Sequence, residues 1–70
     1  MIIQLSCGKK AVSSFSEASK EACADRDKNG FGARDLPKRW GDVTDTDGTP
    51  LGQVSYNGRV WDIANNEIPT

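Results

Sequence analysis

The segment from Val54 to Ile63 constrains the fold more than any other part of the chain, because it has the pattern of a β-hairpin. Asn57-Gly58 stands between two short runs that are rich in β-branched and aromatic residues. This dipeptide is a strong hairpin signal, since a type I′ turn needs positive φ at both central residues. A two-residue turn here would pair Val54 with Trp61 and direct both side chains, together with Ile63, into a core.

The same turn would fix the remaining cross-strand neighbours of the hairpin. Tyr56 would face Arg59 and stack on its guanidinium at the rim of the core. On the other face of the hairpin, Ser55 would face Val60, and Gln53 would face Asp62.

One helix is predicted between the first strand and the rest of the sheet. Ser14 and Glu17 form a capping box at its start, the helix runs to about Lys28, and Gly30 suits the left-handed position just past its end. The helix carries a narrow apolar stripe at helical spacing, made of Phe15, Ala18, Ala22 and Cys23.

The strands complete an α+β fold. A first strand is expected over 2–7, with Ile3, Leu5 and Cys7 on one face, and a second over 41–45, ahead of another turn signal at Asp47-Gly48. Strands over 51–56 and 59–63 form the hairpin. The predicted order is β-α-β-β-β, in which a single helix packs on an antiparallel sheet that ends in a C-terminal meander.

Length and charge indicate one small domain. The chain has 70 residues and a formal net charge of −1, and we expect a domain over 1–64 with a flexible tail over 65–70. A near-neutral charge predicts no strong non-specific attraction to nucleic acid or to anionic membranes. The chain has neither an apolar run of the roughly 20 residues that a membrane helix needs nor a signal-peptide core. We therefore expect a cytoplasmic protein without a membrane partner.

Cysteine and histidine usage limits the chemistry. There is no histidine, which removes the commonest general base and metal ligand. Cys7 and Cys23 are too far apart for a CxxC motif, and in the cytoplasm we favour two reduced, mostly buried thiols. A disulfide and a redox or metal role are the alternatives. With no nucleophile matched to a base, we expect a protein that is not an enzyme and needs no cofactor.

The segment from Asp25 to Gly30 has the sharpest chemical pattern. Asp25, Asp27 and Asn29, followed by glycine, match the first half of an EF-hand calcium loop. The second half fails, because Leu36 stands where a bidentate glutamate is needed. We favour the polar end of a helix, with a weak calcium site as the alternative. Three further aspartates near the second turn are interpreted as turn formers rather than metal ligands, namely Asp42, Asp45 and Asp47.

A basic stretch with a neighbouring tryptophan is the strongest candidate for a partner-binding surface. Clustered arginine and tryptophan are typical of protein interfaces and also suit a nucleic-acid backbone with base stacking. A protein partner is favoured because of the near-neutral charge, and nucleic acid is the alternative. The interpretation without a partner, which we favour for the stretch itself, is a solvated connection in which Trp40 folds back to shield the edge of the core. The predicted surface comprises Arg34, Lys38, Arg39 and Trp40, with Tyr56 and Arg59 at the hairpin tip.

Two segments resemble small uncharacterised bacterial proteins that are linked to phages and other mobile elements. They are a Ser-Phe-x-Glu-Ala-Ser helix start, at Ser14 to Ser19, and a Ser-Tyr-Asn-Gly-Arg-Val-Trp ending, at Ser55 to Trp61. The size and the predicted order of elements are also similar to a small type I anti-CRISPR inhibitor. This resemblance implies a protein without catalytic residues that binds the DNA-recognition surface of a host interference complex. It assigns no role to any individual residue.

Overall fold

The structure, a computed structural model, describes residues 1–30, 32 and 34–69. It confirms an α+β fold in which a single helix lies on an antiparallel sheet. The elements in chain order are β1 (Ile2–Leu5), β2 (Gly8–Ala11), α1 (Phe15–Asn29), β3 (Asp42–Thr44), β4 (Pro50–Val54), β5 (Val60–Asp62) and β6 (Glu67–Ile68).

The sheet has six strands in the order β2-β1-β3-β4-β5-β6, and every neighbouring pair is antiparallel. Two of these strands are additional to the four predicted ones. β2 turns back on β1 after Ser6 and Cys7. β6 pairs with β5, with Glu67 opposite Trp61 and Ile68 opposite Val60. The segment expected to be a flexible tail therefore contributes an edge strand.

The predicted helix is present within one residue of its expected end. The Ser14 hydroxyl accepts a hydrogen bond from the backbone N–H of Glu17 at 3.2 Å, and Gly30 caps the C-terminus with φ of 67°. The second half of the capping box differs from the prediction. The Glu17 carboxylate accepts from the backbone N–H of Ser13 at 2.8 Å instead of from Ser14.

The core lies between α1 and one face of the sheet. Ile3, Val43, Val54 and Val60 are the largest side chains that are fully buried. Ala18 and Ala22 are fully buried on the facing side of α1, and their small size lets the helix approach the sheet closely. The remaining buried apolar side chains are Leu5, Val12 and Trp40.

The β4–β5 hairpin has a longer loop than the type I′ turn that the sequence predicts. Ser55 N donates to Arg59 O at 2.8 Å, and Gly58 N donates to Ser55 O at 2.9 Å. Gly58 has φ of 87°, whereas Asn57 is not among the residues with positive φ. The loop therefore has three residues, from Tyr56 to Gly58, with glycine in the left-handed position. The prediction of a type I′ turn is wrong.

The longer loop moves the register by one residue and turns the tryptophan to the opposite face of the sheet. Val54 pairs with Val60, and Gln53 pairs with Trp61. Since successive side chains of a strand alternate between faces, a shift of one residue exchanges inside and outside. Val60 is 1% exposed and lies in the core, while Ile63 is 75% exposed. The prediction that Trp61 and Ile63 point into the core is wrong.

Candidate functional site

The sheet has one face that α1 does not cover, which we call the outer face. A row of cross-strand neighbours that runs across the middle of the strands points to the outer face. These side chains alternate with the buried residues of the same strands. Within this row, Gln53 lies opposite both Asp42 and Trp61, and Trp61 lies opposite Glu67. Lys9 and Gln4, which are paired with each other, extend the row towards the β2 edge.

A groove of about 620 Å³ runs along β4 and β5 on the outer face. Trp61 is half-buried in this groove. Residues of the hairpin tip and of the loop after α1 also line it. We call this feature the Trp61 groove. Its lining residues are Leu36, Trp40, Gln53, Val54, Ser55, Tyr56, Trp61 and Asn65.

A smaller hollow of about 140 Å³ lies over β1 and β3, and we call it the Arg39 hollow. Lys9 and Arg39 provide two positive charges in its lining, and Asp42 provides one carboxylate. Burial raises the pKa of Asp42, and the positive charge of Arg39 opposes that shift. The other lining residues are Ile2, Gln4, Thr44 and Gly48.

A third depression, of about 240 Å³, lies between the two. It shares Asp42 and Thr44 with the Arg39 hollow, and Gln53 and Asn65 with the Trp61 groove. The three depressions are therefore neighbours, with basic residues in the Arg39 hollow and aromatic residues in the Trp61 groove.

Arg39 has an unusual backbone conformation. Its φ is 65°, in the left-handed region that favours glycine. The surrounding turn is held by a hydrogen bond from Trp40 N to Pro37 O and by another from Asp42 N to Arg39 O, both 3.1 Å. The Arg39 side chain is exposed, so burial gives no reason for an arginine at this position.

Trp40 lies in the core, 4% exposed, although it contributes to the lining of the Trp61 groove, so it is not the exposed side chain that the sequence predicts. Its indole N–H donates to the Asp25 carboxylate at 2.9 Å. The interpretation in which Trp40 shields the core describes its position correctly. Trp61, which the sequence predicts in the core, lies on the outer face. Trp40, which the sequence predicts at the surface, lies in the core.

Asp25 is the buried acid in the described part of the chain. Besides the Trp40 indole, it accepts hydrogen bonds from the backbone N–H of Ser6 at 3.1 Å and from the Ser6 hydroxyl at 2.8 Å. Burial acts to raise the pKa of Asp25, but the hydrogen bonds from Trp40 and Ser6 together outweigh it, so the pKa lies below its ordinary value. Asp25 is thus an ionised structural group.

The residues of the calcium-loop pattern lie inside α1 and do not form a loop. Asp25 points into the core, whereas Asp27 is exposed and pairs with Arg26 at 3.1 Å. The side-chain amide of Asn29 donates to the backbone carbonyl of Asp25 at 2.8 Å and to its carboxylate at 3.2 Å. Within residues 1–30, 32 and 34–69 no group of His, Cys, Asp and Glu side chains is arranged to hold a metal ion. The calcium-loop interpretation is therefore wrong in its geometry.

The hairpin-tip residues have partners other than each other. The guanidinium of Arg26 lies 5.3 Å from the centre of the Tyr56 ring, and it also donates to the Tyr56 carbonyl. Arg59 lies 4.0 Å from Glu67 on β6. The predicted stacking of Tyr56 on Arg59 is therefore replaced by a contact of Tyr56 with the helix.

The other predicted partner-binding residues lie in the loop between α1 and β3. Arg34 and Lys38 are exposed there, as Arg39 is. Within the described residues, none of these three side chains forms a salt bridge. Three exposed cations therefore lie in the loop between α1 and β3, and of these Arg39 lines the Arg39 hollow.

Both cysteines are free thiols. Cys23 is half-buried under the hairpin tip, but Cys7 is exposed in the β1–β2 turn. The expectation that both thiols are mostly buried is wrong for Cys7.

Comparisons with protein-family models, with curated proteins and with solved structures found no match for this chain. In the described residues, no helix has the length and apolar character required to cross a bilayer.

Proposed function

We propose that this chain is a non-catalytic protein-binding module whose outer face is the binding surface. The observation that supports this most directly is the position of Trp61, half-buried in a groove on the side of the sheet that α1 leaves uncovered. Tryptophan, tyrosine and arginine are the residues enriched at the energetic centres of protein interfaces. The outer face and its rim carry Trp61, Tyr56 and Arg39 together.

A protein partner suits the mixed charge of this surface. Glu67 lies directly opposite Trp61, and Asp42 lies in the lining of the Arg39 hollow. These carboxylates would repel a phosphate backbone, whereas a polypeptide can donate its N–H groups to them. The formal net charge of −1 also gives no general attraction to nucleic acid.

The lack of histidine and the position of the buried acid both argue against catalysis. The chain contains no histidine. Asp25, the buried acid of the described residues, is held ionised by Ser6 and Trp40 and does not face either concavity. A general acid needs a raised pKa and access to substrate. Asp42 has both, but neither a second carboxylate nor a cysteine is among the residues that line the Arg39 hollow with it.

The resemblance of Ser14–Ser19 and Ser55–Trp61 to phage and mobile-element proteins supplies the first partner to test. We propose a host protein complex, with inhibition of a type I interference complex as the specific case. Three variants make the experiment selective: Trp61→Ala and Arg39→Ala on the outer face, and Lys20→Ala on the exposed side of α1. Lys20→Ala removes the same charge as Arg39→Ala and serves as the matched control.

The test is co-purification of tagged protein with a purified interference complex, and with bacterial lysate treated with nuclease. The proposal expects a stoichiometric protein complex that Trp61→Ala and Arg39→Ala weaken by about tenfold or more each, as interface centres do, and that Lys20→Ala leaves intact. Equal binding by all three folded variants would remove the outer face as the binding surface. If the interference complex does not bind but the tagged protein specifically captures another complex, only the interference complex is excluded as the partner.

Nucleic acid is a second candidate because Lys9 and Arg39 lie on the same face as Trp61. Phosphate contacts would make the affinity fall steeply as salt concentration rises. Retention that nuclease abolishes, with a steep salt dependence, would favour this candidate over a protein partner.

A further inference from the structure

We propose that the outer face recognises an extended acidic segment of its partner, with one carboxylate bound in the Arg39 hollow and one apolar side chain in the Trp61 groove. This inference rests on the proposed function and specifies the chemistry of the partner. It predicts a motif in which the acidic and the apolar residue have a fixed spacing.

Charge favours an acidic segment. In the part of the chain that the structure describes, Lys9 and Arg39 have no salt-bridge partner, as is also the case for Lys20, Lys28, Arg34 and Lys38. Lys9 and Arg39 differ from these four cations because both line the Arg39 hollow. The two cations of the Arg39 hollow therefore exceed its single carboxylate, Asp42. A partner carboxylate there would complete the pairing and could form a two-pronged contact with the Arg39 guanidinium.

The backbone of Arg39 also favours a bound anion. A non-glycine residue in the left-handed region is destabilising, and asparagine or glycine would fit this turn better. Strain of this kind is concentrated at functional sites. The turn projects a long, always-charged side chain over β1 and β3, where it lines the hollow. Recognition of an anion gives a reason for arginine at a position where the backbone disfavours it.

The distance from the Arg39 hollow to Trp61 sets the spacing of the motif. The Arg39 hollow is centred over β1 and β3, and Trp61 is on β5, so about two and a half strand spacings separate them, roughly 12 Å. An extended chain covers this distance in about four residues. Residues four apart in an extended segment point to the same side. The motif is therefore an acidic residue and an apolar residue with three residues between them.

A peptide is favoured over a single-stranded nucleic acid by the acidic groups along this path. A segment running from the hollow to the groove passes Gln53 and ends beside Glu67. Backbone N–H groups and the side-chain amide of Gln53 can exchange hydrogen bonds there. A continuous phosphate backbone would meet the Glu67 carboxylate, whose charge the exposed Arg59 at 4.0 Å offsets only in part.

The experiment is an NMR titration of ¹⁵N-labelled protein with short peptides built from glycine and serine. One peptide carries a glutamate and a leucine separated by three residues, a second replaces the glutamate by lysine, and a third replaces the leucine by serine. Each is added to about 5 mM, where even a millimolar complex is mostly formed. The inference expects the first peptide to shift the amide resonances of Lys9 and Arg39 and the indole resonance of Trp61, and the other two to bind at least about fivefold more weakly.

Two variants keep the result decisive. Arg39→Gly relieves the backbone strain and therefore folds, and it should lose the preference for glutamate over lysine. Lys20→Ala should bind as the native chain does. No shifts with the first peptide, or equal shifts with the lysine peptide, would overturn the inference, and so would tighter binding of an oligothymidine probe at the same resonances. A different result would contradict the proposed function, namely that Trp61→Ala captures the partner complex as well as the native chain does.

Discussion

The indole of Trp40 and the carboxylate of Asp25 form a buried hydrogen bond of 2.9 Å that connects the end of α1 to the loop before β3. The same carboxylate accepts two hydrogen bonds from Ser6 in the β1–β2 turn. One acidic side chain therefore holds together three segments that are distant in sequence. This explains why a charged residue and the tryptophan beside the basic loop are both withdrawn from the surface.

Removing the Asp25 carboxylate should destabilise the protein strongly. Asp25→Ala leaves the Trp40 indole and the Ser6 amide without their acceptor, and unsatisfied buried donors cost about 1–3 kcal/mol each. We expect a loss of about 3 kcal/mol in the free energy of unfolding, measured by urea denaturation. Asp25→Asn keeps one acceptor oxygen and should lose less. A loss below about 0.5 kcal/mol for Asp25→Ala would contradict the role of this carboxylate.

The same group should make the protein sensitive to acid. The pKa of Asp25 in the folded state lies below its ordinary value, which is about 3.9 in an unfolded chain. For an acid whose folded pKa is lowered, the stabilisation is complete above the unfolded pKa and is lost as pH falls through the folded pKa. Thermal unfolding between pH 7 and 2 should therefore show a steeper acid loss for the native chain than for Asp25→Asn. Parallel curves would contradict this assignment.

The two tryptophans should differ in solvent access. In Trp61→Phe the remaining Trp40 is buried and should emit at short wavelength and resist quenching by iodide. In Trp40→Phe the remaining Trp61 lies in an open groove and should be quenched readily. Trp40→Phe should also lose about 1–3 kcal/mol of stability because Asp25 loses a buried donor, while Trp61→Phe should stay within about 0.5 kcal/mol of the native chain. Equal quenching of both variants would contradict the observed hairpin register.

Replacement of Arg39 by glycine should stabilise the fold while it weakens binding. The left-handed conformation costs a non-glycine residue roughly 1–2 kcal/mol, and the greater freedom of glycine in the unfolded chain offsets about half of this. We therefore expect a gain of up to about 1 kcal/mol in Arg39→Gly. Arg39→Ala removes the same side chain without relieving the backbone, so it serves as the control and should gain nothing. A loss of stability in Arg39→Gly would show that the side chain supports the fold.

The helix was predictable because its determinants are local. The hydroxyl of Ser14 and the freedom of Gly30 act within a few residues, and both caps are where the sequence places them. The edge strand β2 has no such determinant. Its sequence, Gly-Lys-Lys-Ala, lacks apolar alternation, and it forms through backbone pairing with β1.

The outer face could not be predicted because its character depends on one turn. Asn57-Gly58 is compatible with a two-residue loop and with a three-residue loop that places only Gly58 in the left-handed region. Burial of Val60 against Val54 decides between them, and this burial depends on contacts with α1 that the hairpin sequence does not contain. The same loop form recurs after β3 and after β5, with Gly48 and Asn65 in the left-handed position.

The packing of α1 against the hairpin tip gives a direct test of this turn. The Ser19 hydroxyl donates to the Gly58 carbonyl at 2.7 Å. A Cβ added at Gly58 would lie 2.9 Å from Cys23 Sγ, whereas a Cβ at Gly48 would meet nothing within 4 Å. The two glycines have similar φ, 87° and 92°. Gly48→Ala therefore measures the cost of the backbone alone, and Gly58→Ala measures the same cost plus the contact with the helix.

We expect Gly48→Ala to lose about 1 kcal/mol from the left-handed backbone, and Gly58→Ala to lose about 1 kcal/mol more from overpacking. In a Cys23→Ala background the excess should disappear, because the space occupied by the thiol becomes free for the new methyl group. The measurement is urea denaturation of the native chain, Gly58→Ala, Cys23→Ala and the double variant, with Gly48→Ala as the reference. An equal loss for Gly58→Ala with and without Cys23 would show that the hairpin tip does not lie against α1 as described.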